Sequence, residues 1–130
     1  MNGLHLIADL HDCRCASEFL LDAPALESFC VAACVRHGLT VVGRLFHAFR
    51  DAANNPAGVT GTVVLAESHL AVHTWPEVRG VTLDIYVCNF SADNSGAAHT
   101  LFTEVIAAFA PARLEKKEVA RGHLASITAL

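Results

Sequence analysis

The amino-acid sequence predicts an α+β fold, a two-layer sandwich in which a mostly antiparallel sheet of about six strands carries two helices on one face. Three observations lead there. Strand-like segments rich in β-branched residues, or alternating apolar and polar, recur along the chain; two stretches carry a helical apolar stripe; and the order β-α-β-β-β-β-α-β joins its middle strands through short connections, as a meander does.

The first strand covers residues 3–10, with Leu4, Leu6, Ala8 and Leu10 on one face. His5 and Asp9 face the other way, and His5 reads as a surface or interface residue. Asp12-Cys13-Arg14-Cys15 reads as a polar exit. Asp22 before Pro24 starts a helix whose stripe is Leu26, Phe29, Cys30, Ala33, Cys34 and His37, and Gly38 ends it. Thr40 to Phe49 is a second strand. The polar segment 50–58, with Asn54-Asn55-Pro56, is a loop, either a lid or a mobile hairpin connection. Val59 to Ala66 is a third strand. A fourth holds Leu70-Ala71-Val72, Trp75 to Gly80 turns, and Thr82 to Cys88 is a fifth. Asn94 or Ser95 caps a second helix with Ala98, Leu101, Phe102, Val105, Ile106 and Phe109 on its stripe. Arg113 to Arg121 is a charged final strand at a sheet edge.

The chain of 130 residues fits a single domain, 1–130. It is 53% hydrophobic with a mean hydropathy of +0.41, yet no apolar run approaches the ~18 residues of a membrane span. Surplus apolar surface in a short chain points to a homodimer. The net charge of −4 argues against nucleic acid as a partner. The N-terminus lacks a signal-peptide pattern and the five cysteines are odd in number, so thiols in the cytoplasm are expected. Cys30 and Cys34 have helical core spacing and leave Cys13 and Cys15 without a matching ligand pair, so no metal is expected.

The chemistry concentrates in Glu67-Ser68-His69-Leu70-Ala71-Val72-His73-Thr74-Trp75-Pro76-Glu77. On a strand, His69 and His73 lie ~13 Å apart, too far to share a zinc ion. Ser68 lacks the Gly-x-Ser-x-Gly elbow of acyl hydrolases. On one unbroken strand Ser68 and His73 point to opposite faces about 16 Å apart, so joint chemistry needs a bend. A hairpin turning near Val78 sets Cys88 opposite Ser68, and hydroxyl, thiol and imidazole would then converge at one sheet edge.

That motif resembles the self-cleavage motif of the prokaryotic S-adenosylmethionine decarboxylases, which are pyruvoyl-dependent. Gly3-Leu4-His5-Leu6-Ile7-Ala8-Asp9, Phe46-His47-Ala48-Phe49, Gly58-Val59-Thr60-Gly61 and Leu83-Asp84-Ile85-Tyr86-Val87-Cys88 support the resemblance. It implies that the chain cuts itself between Glu67 and Ser68 into residues 1–67 and 68–130. By resemblance Ser68 attacks the Glu67 carbonyl and becomes the pyruvoyl group, with His73 as processing base and Thr60 assisting. The pyruvoyl carbonyl forms a Schiff base with the substrate amine, and Cys88 reprotonates the product carbon. Pyridoxal phosphate is not expected, because the two lysines, Lys116 and Lys117, lie together on a charged strand.

The resemblance further implies that Phe49 stacks on an adenine beside a sulfonium and Glu77 binds ribose hydroxyls. The sequence departs from the family pattern in a longer loop after Phe49, in Asn89 after Cys88, and in Val78-Arg79. Glu77 also suits a guanidinium or ammonium group, and Asp51 in the loop would add a second carboxylate if it folded inward. Arginine or ornithine therefore stands as the alternative substrate, and an uncut, non-enzymatic homodimeric binding module as the second alternative.

Overall fold

A computed structural model describes residues 2–124 of the chain. Six antiparallel strands form one sheet: β1 (Gly3–Cys13), β2 (Val41–Arg50), β3 (Pro56–Leu65), β4 (Ser68–Trp75), β5 (Gly80–Cys88) and β6 (Pro111–Arg121), in the spatial order β2-β3-β4-β5-β1-β6. The helices are α1 (Glu18–Leu21), α2 (Ala23–Arg36) and α3 (Ser95–Phe109). The expected α+β fold is present, with one short helix more than the two anticipated. Four residues of α1 are too few to display a helical period. Asp22 ends α1 and caps α2, its Oδ1 accepting the N–H of Ala25 at 3.3 Å.

Alternation along the strands divides the sheet into two faces. Leu6, Ala8, Leu10, Val63, Leu65, Leu70, Val72, Val81, Leu83, Ile85 and Val87 are buried beneath the helices. They meet Leu26, Cys30, Ala33 and Cys34 of α2 and Leu101, Phe102, Val105 and Phe109 of α3, which are the expected stripes. Burial of such side chains stabilises the fold by about 1.5–3 kcal/mol each. The opposite face has no helix. It carries His5, Thr60, His69, His73, Thr82, Asp84 and Tyr86, with Leu45 and Val64 exposed beside them.

Three local expectations change. β1 runs on to Cys13, which is buried rather than part of a polar exit. The loop after Phe49 shrinks to residues 51–55, because Asp51 Oδ1 accepts the N–H groups of Ala53 and Asn55, each at 2.9 Å, and closes a tight hairpin. That side chain is spent on its own turn and does not line the cleft beside Phe49. The β4–β5 turn is a 3-10 turn over Pro76–Val78 with Arg79 left-handed (φ 46°), and its strands pair as Trp75↔Gly80 and His69↔Tyr86. The register is thus one residue off the sequence estimate, and alternation leaves Ser68 on the helix side and Cys88 on the open side. Among the described residues no helix is long and apolar enough to cross a membrane.

Candidate active site

β4 carries chemistry at both of its ends. At the first end, β3 and β4 are joined by Ala66 and Glu67 alone, with Leu65 paired to Ser68. Such a turn needs one residue at positive φ, a place that glycine fills at no cost. Here Glu67 fills it, at φ 66°. A side-chain-bearing residue in that conformation costs roughly 1–2 kcal/mol. The turn is pinned by the Ala66 N–H to Thr40 O at 2.9 Å and by Ser91 Oγ, which donates to Glu67 Oε2 at 3.3 Å.

Ser68 is buried, and its Oγ accepts the backbone N–H of Cys88 at 3.3 Å. Serine and cysteine therefore meet through a hydroxyl and an amide, with the thiol on the other face. Asn89 organises the loop behind them: its Oδ1 accepts the Asn94 N–H at 2.8 Å and its Nδ2 donates to Ser95 Oγ at 3.0 Å. Asn94 Nδ2 in turn donates to the Cys88 carbonyl at 3.2 Å.

At the other end Thr60 and His73 face each other across β3 and β4, with Thr60 Oγ1 and His73 Nδ1 2.7 Å apart. Beyond that pair the ladder stops. The N–H of Val59 donates instead to Thr74 Oγ1 at 2.8 Å, and that hydroxyl donates to Leu20 O at 2.7 Å, tying α1 beneath the strand. Gly58 makes the departure feasible: at φ 138° it lies so close to Thr74 O that a Cβ would approach to 2.8 Å. Where the strands part, a cleft of about 330 Å³ opens, lined by Phe49, Val59, Thr60, His73, Trp75 and Glu77. Phe49 and Trp75 present aromatic surface there, and Glu77 is its one carboxylate.

The structure thus sorts the expected site residues into two groups. Glu67, Ser68 and Cys88 occupy one end, and Phe49, Thr60, His73 and Glu77 the other. β4 pairs with β5 without interruption from His69 to Trp75, so no bend draws Ser68 towards His73, and their separation is roughly 16 Å by strand rise. The expected convergence of hydroxyl, thiol and imidazole within one chain is not seen.

Sequence reasoning missed a third feature on the open face. Asp84 Oδ2 is 2.8 Å from His69 Nε2 and 2.9 Å from His5 Nε2. His5, expected as a surface or interface residue, lies half-buried on the open face and is bonded to Asp84. Tyr86 lies against both imidazoles, each ring centroid 5.9 Å away. Burial first, and then the neighbouring Cys88 thiol, raise its phenol above the ordinary value. The register His5↔Tyr86↔His69 would have revealed the grouping, but only once the strand order was known. Lys116 and Lys117 stand on exposed β6.

The S-adenosylmethionine decarboxylase family matches residues 4–122 of the chain. The S-adenosylmethionine decarboxylase proenzyme of Carboxydothermus hydrogenoformans is 34% identical over 117 residues, spanning 90% of this chain and 87% of the relative. That of Methanococcus maripaludis strain C5 is 32% identical over 120 residues, 92% of this chain and 89% of the relative. Among solved structures, the adenosylmethionine decarboxylase of Aquifex aeolicus is similar with a TM-score of 0.79 at 27% identity, covering 95% of this chain and 92% of that one.

Proposed function

The chain belongs to the S-adenosylmethionine decarboxylase family, and from that premise we propose that it is a pyruvoyl-dependent carboxy-lyase acting on S-adenosylmethionine, produced by self-cleavage into residues 1–67 and 68–130. The observation that carries this reading is the left-handed Glu67 on the acyl side of a buried serine, at the tip of the β3–β4 hairpin. Strain stored there favours a reaction that opens the turn.

In the cleavage, Ser68 Oγ bonds to the Glu67 carbonyl carbon as the Glu67-Ser68 amide breaks, and the serine nitrogen takes the hydroxyl proton. An ester now joins the two segments. Loss of the Ser68 α-proton expels the Glu67 carboxylate, and water then replaces the nitrogen, which departs as ammonia. Ser68 suits the resulting group, because the Cys88 N–H already addresses its side chain and the two lysines are remote on β6. The pyruvoyl group supplies a carbonyl that binds the substrate amine and accepts electrons as carbon dioxide leaves. The fitted roles are His73 as base for the α-proton, Thr60 as the hydroxyl that assists the acyl shift, and Cys88 as the acid that protonates the product carbon.

His73 cannot reach Ser68 of its own chain across roughly 16 Å. A two-fold axis lying in the open face and perpendicular to the strands resolves this. It stacks two open faces about 10 Å apart and lays the Ser68 end of one β4 over the His73 end of the other, the buried Ser68 turning from the helix side to the open side as the Glu67 turn opens. The half-exposed Val64 and the exposed Leu45 supply apolar surface for such a contact. The working unit is therefore a homodimer in which each site draws Ser68 and Cys88 from one subunit, and Phe49, Thr60, His73 and Glu77 from its partner.

The cleft favours S-adenosylmethionine over arginine or ornithine. Phe49 and Trp75 offer faces for a flat adenine and its sulfonium, and Glu77 is placed for ribose hydroxyls. A basic amino acid needs a carboxylate at its far end while its own carboxylate is being lost; with Asp51 held in its hairpin, Glu77 alone remains. Mass spectrometry of the purified protein should show two fragments, the second blocked at its N-terminus. Carbon dioxide release from labelled S-adenosylmethionine should exceed that from labelled arginine and ornithine. Release from an amino acid alone would reassign the substrate, and one intact chain would favour the binding module.

A further inference from the structure

We infer that His5, Asp84 and His69 form a positioning clamp that holds the new terminus of residues 68–130 in place after the chain is cut. The inference rests on the self-cleavage reading above. His69 follows Ser68 directly, so it becomes the second residue of the C-terminal fragment. Cleavage removes the Ala66-Glu67 tether, and a freed strand end frays unless something holds it. The His69 imidazole is held by Asp84 on β5, and the same carboxylate oxygen is held by His5 on β1. His5 belongs to the other fragment, so the clamp joins the two products of the cut.

The hydrogen-bond pattern fixes the proton positions. Arg121 Nη1 lies 3.2 Å from His5 Nδ1, and a guanidinium can only donate, so Nδ1 carries a lone pair and Nε2 carries the proton. That N–H points at Asp84 Oδ2. Because an ionised carboxylate only accepts, His69 Nε2 donates to the same oxygen. The surroundings are built to keep this order. Arg121 lies over the Tyr86 ring at 4.3 Å, and a Cβ on Gly3 or Gly122 would come within 2.9 Å of the Tyr86 ring and 2.6 Å of its hydroxyl. Tyr86 is thus wedged between two glycines and packs on both imidazoles.

The same three groups invite a metal reading, since their ligand atoms lie within 4.8 Å of one another. A cation at His5 Nε2 would need a lone pair there and a proton on Nδ1, facing the Arg121 guanidinium. Arg121 therefore favours the clamp.

The test compares His5→Leu, which removes the donor, with His5→Gln, whose amide can replace the Nε2 donor. Cleavage, kcat, KM, thermal unfolding and amide exchange at residues 69–71 are measured for both beside the wild type. For cleaved His5→Leu, kcat should fall roughly 10- to 100-fold, as expected when reacting atoms are misplaced by about 1 Å. KM should stay near the wild-type value, exchange at 69–71 should accelerate, and His5→Gln should recover most of both. If His5→Leu does not fold, the glutamine variant decides alone: near-normal turnover supports the clamp and a large loss refutes it. A cleaved His5→Leu with full turnover and unchanged exchange sinks the clamp and leaves the self-cleavage reading standing, whereas an uncut wild type counts against the latter. Stoichiometric binding of zinc or magnesium that His5→Leu abolishes overturns the clamp in favour of a metal site.

Discussion

The two ends of β4 differ in what they hold. The Ser68 end has a strained turn, a buried hydroxyl and a nearby cysteine, but none of the lining residues of the aromatic cleft. The Thr60–His73 end has that cleft and a hydroxyl–imidazole pair, and its own left-handed residue, Arg79, adjoins no serine. In the proposed reaction, each end contains half of what cleavage and decarboxylation require. In the proposed dimer, a site built on a sheet face is divided along one strand, and symmetry joins the halves.

The largest effect should come from separating the halves genetically. Ser68→Ala and His73→Ala are each expected to abolish or nearly abolish cleavage when expressed alone. Co-expressed, they form mixed dimers in which an intact Ser68 faces an intact His73 from the other subunit, and fragments of the His73→Ala chain should reappear. Mass spectrometry reads this directly. If no fragments return although mixed dimers are isolated, the site is not shared.

A smaller effect sharpens the strained end alone. Glu67→Gly removes the penalty of a left-handed glutamate, roughly 1–2 kcal/mol. If that strain is relieved on the way to the ester, cleavage should slow by up to about tenfold, since 1.36 kcal/mol of barrier corresponds to a factor of ten. A time course of fragment appearance checks it, and an unchanged rate would mean the strain is not used.

The smallest effect separates the fold from the site. Burial pushes the Cys13 and Cys34 thiols up to about 11 from an ordinary 9.0, and Cys30 higher still. The folded protein favours their neutral form, so this contribution to stability is complete below pH 9 and is lost as the pH rises from 9 through about 11. Urea midpoints should fall between pH 8.5 and pH 10.5, and Cys34→Ala should flatten that fall by about one thiol's share. An unchanged slope would show that Cys34 ionises equally readily in both states.

Much of the site was legible because its residues lie close together in the chain. The period of the strands and the stripes from Leu26 to Cys34 and Ala98 to Phe109 gave the layers, and the run Glu67 to Glu77 carries both chemical ends. The missed features have a common cause. Asp84, Tyr86 and His5 acquire their roles from partners on other strands, and no spacing along the chain encodes them. The register of Cys88 also failed by one residue, because the left-handed Arg79 after the 3-10 turn moved the hairpin centre.

By itself the sequence determined the α+β class, the apolar face and the family, and it singled out the Glu67-Ser68 bond proposed for cleavage, because hydrophobic period and a contiguous motif are properties of a chain. Tertiary structure alone decided that Glu67 is left-handed, that Thr60 pairs with His73 far from Ser68, and that His5 reaches His69 through Asp84. Those facts depend on strand order and register, which are set by packing against α1, α2 and α3 and by turn geometry, and a one-residue slip would turn every side chain on a strand to the other face.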